Sequence, residues 1–307
     1  MGENKEPLVT AVITSYNRKP EVVKRALDSI VGQTYGNIEI YIVNDYPTDK
    51  KLVEDLREMI NASSKGREIH YIVVEKNGGA CRARNLALER AKGKYFACLD
   101  DDDEWLPDKI ELQVKKMEEN PDAAIVYCNS IMRYVDQGKE SVRFSKPQRE
   151  GNLYFELIAK NLIGSCSFPM FKTEVLKQFG GFNVDMPALQ DWELYLRLLK
   201  NNTAVYVHEP VVIYYFYTGE RISAHPENRV YAFETIHKMV EKDLSQNKKS
   251  AASFYLMGTY FYSLTNDLQK AMHYYLLGVK NDPLNFKRNI KDFFRMTCRK
   301  FVKTKYV

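Results

Sequence analysis

The sequence predicts an α/β fold, with a mostly parallel sheet flanked by helices and a small all-helical region after it. Three observations carry this. Short runs rich in β-branched and aromatic residues alternate with helical patterns through the first half. The runs are near-continuously apolar, as in Ile40-Tyr41-Ile42-Val43, which fits strands covered on both faces. After Pro226 only helical patterns continue. Strict alternation implies parallel strands joined by crossover helices.

The spacing predicts strands at 9–14, 38–43, 70–74, 95–99 and 124–128, with helices at 20–33, 49–62, 80–92 and 107–119 between them. From 130 to about 219 the alternation loosens. Helical pieces at 153–160 and 173–179 surround a turn at Gly180-Gly181. A stronger helix at 188–200 gathers Trp192, Tyr195, Leu196 and Leu199 on one face, and strand-like stretches at 204–207 and 211–216 follow. In the helical remainder, Phe254, Met257, Gly258, Phe261, Ala271, Tyr275, Gly278 and Pro283 follow the spacing of one tetratricopeptide-type helix pair. A plain helical hairpin would satisfy the same pattern. One repeat cannot bury its own face, so the pair must pack on the main domain or on another subunit. The expected domains are 1–224 and 225–307.

A length of 307 residues suffices for one large domain and a smaller appendage, and 45% hydrophobic with 28% charged residues excludes a disordered chain. The net charge of +5 is unevenly placed. From Lys287 onward eight basic residues face one acid, Asp292, so that segment carries +7 and the rest about −2. Basicity confined to one end argues for a local partner and against nucleic acid. In the same stretch Ile290, Phe293, Phe294, Phe301 and Val302 recur at near-helical spacing. Residues 287–307 therefore read as a basic amphipathic helix, able to lie on an anionic bilayer or to pack its aromatic face on the helices before it.

The cysteines (Cys81, Cys98, Cys128, Cys166, Cys298) are odd in number and lack any C-x-x-C spacing, which argues for a reducing compartment. Residues 1–6 show no apolar leader core, Glu6 breaks the myristoylation pattern, and no apolar run reaches the length of a membrane span. The sequons at Asn61 and Asn201 then carry no weight. The expected location is cytoplasmic, with peripheral contact at the inner face of the membrane through the tail.

The chemistry concentrates after the fourth strand. Asp100 to Asp103 follow Tyr95-Phe96-Ala97-Cys98-Leu99 and precede Glu104-Trp105-Leu106-Pro107. Consecutive carboxylates raise one another's pKa and invite a cation. A strand delivering them at its C-terminal end puts them where open α/β sheets bind ligands. Mg2+ or Mn2+ suits such an all-oxygen set, shared with substrate phosphates. A solvated acidic turn is the plain alternative, disfavoured by direct attachment to a buried-looking strand.

Four stretches then recur in one order and spacing: Val12-Ile13-Thr14-Ser15-Tyr16-Asn17-Arg18 with Gln33-Thr34-Tyr35; Ile42-Val43-Asn44-Asp45; Asn77-Gly78-Gly79 with Ala83-Arg84-Asn85, Gly93 and the aspartates; and Gly180-Gly181-Phe182 with Asp191-Trp192-Glu193-Leu194. On these, residues 8–223 resemble the inverting family 2 glycosyltransferases of the GT-A fold. The resemblance implies a metal-dependent enzyme, with Mn2+ or Mg2+, moving a sugar from a nucleotide-diphosphate donor to an acceptor hydroxyl. The default donor is a UDP-sugar. The implied acceptor is a glycan or lipid-linked glycan of surface polysaccharide assembly.

It also implies residue roles. Thr14, Tyr16 and Asp45 hold base and ribose, Asp45 accepting from a uracil-type N–H. Asn77 opens a helix whose N–H groups face phosphate, and Arg84 forks diphosphate oxygens. Asp102 is the metal ligand, and Asp100 contacts ribose or a metal-bound water. Asp101 is counted with Asp100 among the donor-binding residues, and a one-residue register shift would hand these tasks to Asp101 or Asp103. Asp191 is the general base, at a helix start where an N-cap aspartate is the structural alternative.

The departures are Asn44 and Tyr46-Pro47 near the nucleotide, Gln190 before the base, and Thr218 where the family often has a metal-binding histidine, with His225 as a substitute. Two rivals exist. A nucleotidyltransferase would need a Gly-rich basic loop after the first strand, which Thr14-Ser15-Tyr16-Asn17-Arg18-Lys19-Pro20 imitates poorly. A non-catalytic scaffold is opposed by the intact Arg84, Asp102 and Asp191.

Overall fold

The structure, a computed structural model, describes residues 6–134, 139–143, 149–216, 225–285 and 287–291. The elements in chain order are β1 (Val9–Ser15), α1 (Pro20–Val31), β2 (Ile38–Asn44), α2 (Lys50–Ser63), β3 (Ile69–Val73), α3 (Ala80–Arg90), β4 (Tyr95–Asp100), β5 (Glu104–Trp105), α4 (Lys109–Glu119), β6 (Ala123–Tyr134) and β7 (Lys139–Arg143). Then come α5 (Tyr154–Ala159), β8 (Met170–Lys172), α6 (Thr173–Gln178), α7 (Gln190–Leu199), β9 (Thr203–Phe216), α8 (Pro226–Leu244), α9 (Lys248–Leu264) and α10 (Leu268–Asn281). The chain divides into two compact units.

The first unit comprises Met1–Leu153, Ile163–Val184 and Arg197–Gly219. Its sheet has the order β3-β2-β1-β4-β8-β6-β9-β5, with β7 on β6. The first four strands run parallel, as expected for strands linked by α1, α2 and α3. Beyond β4 the sheet is mixed: β8 runs antiparallel to β4 and β6, whereas β6 and β9 are parallel. The short strands β5 and β8, two and three residues long, carry too few side chains to show a period. β9 is one strand where the pattern showed two, its register against β6 shifting around Pro210; proline has no N–H for the ladder.

Burial follows the pattern that predicted it. β2 is buried at every position, and α1 sets Val23, Ala26, Leu27, Ile30 and Val31 into the core. These join Ile13, Ile40, Ile42, Leu99, Trp105 and Ile110 in one apolar cluster. The register sets Thr14 opposite both Val43 and Asp100, and Ser15 opposite Asn44. The C-terminal ends of β1, β2 and β4 are therefore level, and the loops leaving them share one edge.

The second unit comprises Tyr154–Leu162, Asp185–Leu196 and Glu220–Val307. Phe233 of α8 stacks on Phe254 of α9 with ring centroids 4.7 Å apart and meets Tyr274 of α10 at 5.2 Å. A Cβ at Gly258 would lie 2.6 Å from the Phe233 ring, so only glycine admits this approach. Trp192 Nε1–H donates to the Leu157 carbonyl (2.6 Å), its ring 6.0 Å from Phe254, and Tyr154 O–H donates to Asp243 (2.6 Å). Segments from mid-chain thus complete the helical unit. Among the described residues no helix is long and apolar enough to cross a membrane. Cys81, Cys98, Cys128 and Cys166 are buried and not joined in disulfides. Thr218, Cys298 and most of the basic tail lie outside the described residues.

Candidate active site

Asp45 follows β2 directly and is buried, and its carboxylate is the hub of the second loop. It accepts from the N–H groups of Gly78 (2.9 Å) and Gly79 (2.7 Å) and from Asn77 Nδ2 (2.8 Å). The N–H groups expected to face phosphate at the start of α3 are thus turned onto a carboxylate of the chain itself, which complements the positive end of that helix. Asn44 donates to Tyr71 O–H (3.0 Å) and accepts from the Tyr46 N–H (3.0 Å), a pair of roles that needs an amide. Tyr46 in turn meets Tyr16 edge-on at 5.1 Å. Tyr16 is 52% exposed and offers a ring to solvent, while Thr14 lies in β1 just before it. Tyr46, one of the departures, is therefore part of the aromatic rim.

The aspartate run sorts into separate tasks. Asp100, the last residue of β4, takes Arg84 Nη2 on one oxygen (2.6 Å) and the Ser165 hydroxyl on the other (3.0 Å). Its N–H donates to Ser167 Oγ (3.0 Å), and Ser167 Oγ donates to Asp103 (2.6 Å). Asp103 is buried and also accepts from the Tyr215 N–H (3.3 Å). It is a structural anchor of the turn. Arg18 spans the remaining pair, with Nε on Asp101 (3.0 Å) and Nη2 on Asp102 (3.1 Å). Arg25 Nη2 donates to the Asp102 carbonyl (2.7 Å), its guanidinium 3.8 Å from the centre of the Tyr215 ring.

Burial, only partly offset by Arg18, pushes the Asp101 carboxyl up to about 6. Burial and then Asp100 raise Asp102, and the same two causes hold Asp103 well above the usual carboxylate range. The run is short of positive charge despite three arginines. An oxygen-only donor set in that state fits a divalent cation at Asp102 with Asp100 beside it. Among the described residues no third histidine, cysteine or carboxylate completes a protein-only metal cluster, so substrate oxygens or water would fill the other positions. The Nε–H of buried Arg84 has no acceptor among the described residues. An anion would satisfy it.

These residues belong to the first unit. A model of glycosyl transferase family 2 matches residues 10–180. The chain belongs to that family. It is 29% identical over 271 residues to an uncharacterized glycosyltransferase of Methanocaldococcus jannaschii, covering 86% of this chain and 89% of that one. An uncharacterized glycosyltransferase of Haemophilus influenzae is 28% identical, with 93% of each chain covered. The chain spans 44% of a longer Rickettsia felis glycosyltransferase, 30% identical over 277 residues and covering 86% of this chain. Two solved structures share the fold. Staphylococcus aureus TarS in complex with UDP-GlcNAc has a TM-score of 0.66 at 17% identity, covering 89% of this chain and 81% of its own. The mannosyltransferase PcManGT of Pyrobaculum calidifontis, in complex with GDP-Man and Mn2+, scores 0.63 at 18% identity, covering 98% and 82%. The protein is therefore a family 2 glycosyltransferase with a GT-A sheet and C-terminal helices.

The last of the four stretches is divided, with Gly180-Gly181-Phe182 in the first unit and Asp191 in the second. Asp191 is the second residue of α7, and its carboxylate accepts from Asn161 Nδ2 (2.9 Å) and from the Trp192 N–H (2.8 Å). Leu189, just before α7, holds φ at +55°. A branched residue in the left-handed region costs energy and is typical of positions where function dictates the backbone. His225 caps the start of α8, exposed and without a side-chain cap bond. Sequence reasoning missed Arg18, Arg25, Ser165 and Ser167. Arg18 stood inside a quoted motif, and its spacing from the loop glycines gave no sign that it reaches across to Asp102.

Proposed function

We propose that this glycosyltransferase is inverting and metal-dependent, and that it takes its sugar from a nucleoside diphosphate, by default UDP, for transfer to a glycan or lipid-linked glycan hydroxyl. The reading is carried by buried Arg84 beside Asp100 at the end of β4, with one guanidinium N–H still unsatisfied. That is what a site for an anionic diphosphate requires. Complexes of the structural neighbours with UDP-GlcNAc, and with GDP-Man and Mn2+, support a nucleotide-sugar donor.

The chain's own groups would divide the work. Tyr16 stacks on the base and Asp45 orients it, while Arg84 neutralises the leaving diphosphate. Asp102, with Asp100 nearby, would hold Mn2+ or Mg2+, which when bound stabilises the charge developing on the departing diphosphate. Asp191 takes the proton from the acceptor hydroxyl, held ready by Asn161 and by the N–H that follows it. The basic segment at 287–307 would bring the enzyme to an anionic cytoplasmic membrane face.

The test is a thermal-shift panel of nucleotide sugars with and without Mn2+, followed by product analysis. A UDP-sugar is expected to raise the melting temperature only with metal present, and turnover is expected to release free nucleoside diphosphate. Pyrophosphate release would instead make the enzyme a nucleotidyltransferase.

A further inference from the structure

Arg18 carries an implication that neither the family motif nor the proposed reaction accounts for. Three arginines serve the aspartate run, and they serve it differently. Arg84 is buried and holds Asp100. Arg25 Nη2 donates there to the backbone carbonyl of Asp102. Arg18 alone, among the described residues, places its guanidinium on the carboxylates of Asp101 and Asp102 together. A divalent ion at Asp102 would compete with the ion pair that Arg18 makes to Oδ2 of that carboxylate at 3.1 Å.

The backbone is shaped to deliver this contact. Asn17, between the end of β1 and Arg18, holds φ at +47°. Asparagine is among the few residues that take this conformation cheaply. The Arg18 side chain is 39% exposed, against 8% for that of Arg84, so its guanidinium has water to move into, while Asp101, 7% exposed, would lose its counter-charge when it leaves.

We propose that Arg18 is the resident cation of the metal site: it occupies Asp101 and Asp102 in the empty enzyme, and a divalent ion binds Asp102 by displacing it. This rests on the metal-dependent reading above. Metal alone then binds weakly, because its gain is set against a pair of existing ion pairs.

The experiment is calorimetry of Mn2+ alone on the metal-free full-length chain, without nucleotide. Arg18→Gln keeps a polar, unbranched side chain but removes the charge and the guanidinium fork. It is expected to bind Mn2+ about five-fold tighter than wild type or more, within the usual range for coupled sites. Arg18→Lys, which keeps the charge but loses the fork, is expected to fall between the two. Asp102→Asn should lose the binding. An Arg18→Gln affinity no tighter than wild type, with Asp102→Asn still lacking binding, overturns the displacement and leaves the metal site standing. Unchanged Mn2+ binding in Asp102→Asn overturns both. Matching melting curves for the three variants certify that each is folded.

Discussion

Lys109 is fully buried, donates to Gln113 Oε1 (2.6 Å) and lies 4.1 Å from the Trp105 ring centre, with no carboxylate among the described residues bonded to it. Burial lowers its ammonium from 10.5 to about 8. Between those two values the unfolded chain binds a proton that the folded chain does not, so this site's contribution to stability rises with pH across that window. Below about 8 the full penalty of a buried charge applies. In Lys109→Met the penalty is absent. Its melting temperature relative to wild type should fall steadily from about pH 7.5 to 9.5, and a flat difference would remove Lys109 as the cause. If Asp191 is the proposed base, Asp191→Asn should lower kcat by about 100-fold or more while leaving donor affinity unchanged, because such a base acts on the acceptor; wild-type turnover would reduce Asp191 to a helix cap. At this scale the placement of Asp45 and Asp100 at the ends of β2 and β4, with Arg84 on α3, was legible, because their types and spacing form motifs. Arg18 and the Ser165–Ser167 support of Asp100 were not: those contacts cross more than 60 residues of sequence and depend on backbone directions that spacing does not encode.

The Gly180-Gly181 turn shows what spacing does encode. Gly181 holds φ at +68°, and a Cβ there would lie 2.5 Å from Asn85 Oδ1 and 3.0 Å from Leu88. That asparagine clasps the turn from α3, donating to the Phe182 carbonyl (2.7 Å) and accepting from its N–H (2.8 Å). Phe182 then presents its ring 5.4 Å from the Arg84 guanidinium. The Ala-Arg-Asn and Gly-Gly-Phe motifs are two halves of one clamp. Gly181→Ala should therefore cost about 1–3 kcal/mol through backbone strain and the clash with Asn85. A urea midpoint shift with an unchanged m-value would measure it, and no shift would mean that the turn relaxes freely. The long elements were readable because periodicity accumulates over many residues. β5 and β8 form because β9, β4 and β6 offer them unpaired edges, which is a tertiary fact.

At the scale of the molecule, the change from strands to helices near residue 225 is plain in the sequence, but contacts do not follow chain order. α5 and the start of α7 belong with α8, α9 and α10. A chain ending at residue 224 would strip Phe254 from Trp192 and Asp243 from Tyr154. It is expected to expose the apolar faces of α5 and α7 and to aggregate on heating, read by light scattering alongside circular dichroism. Reversible, cooperative melting of that fragment would show that α5 and α7 need no helical cover. This arrangement also bears on how the protein is made. Trp192 leaves the ribosome roughly 60 residues before Phe254, which at about 5–20 residues per second is a wait of roughly 3–12 s. Through that interval Trp192 is without Phe254, so the window in which a chaperone matters falls after the sheet strands have been made.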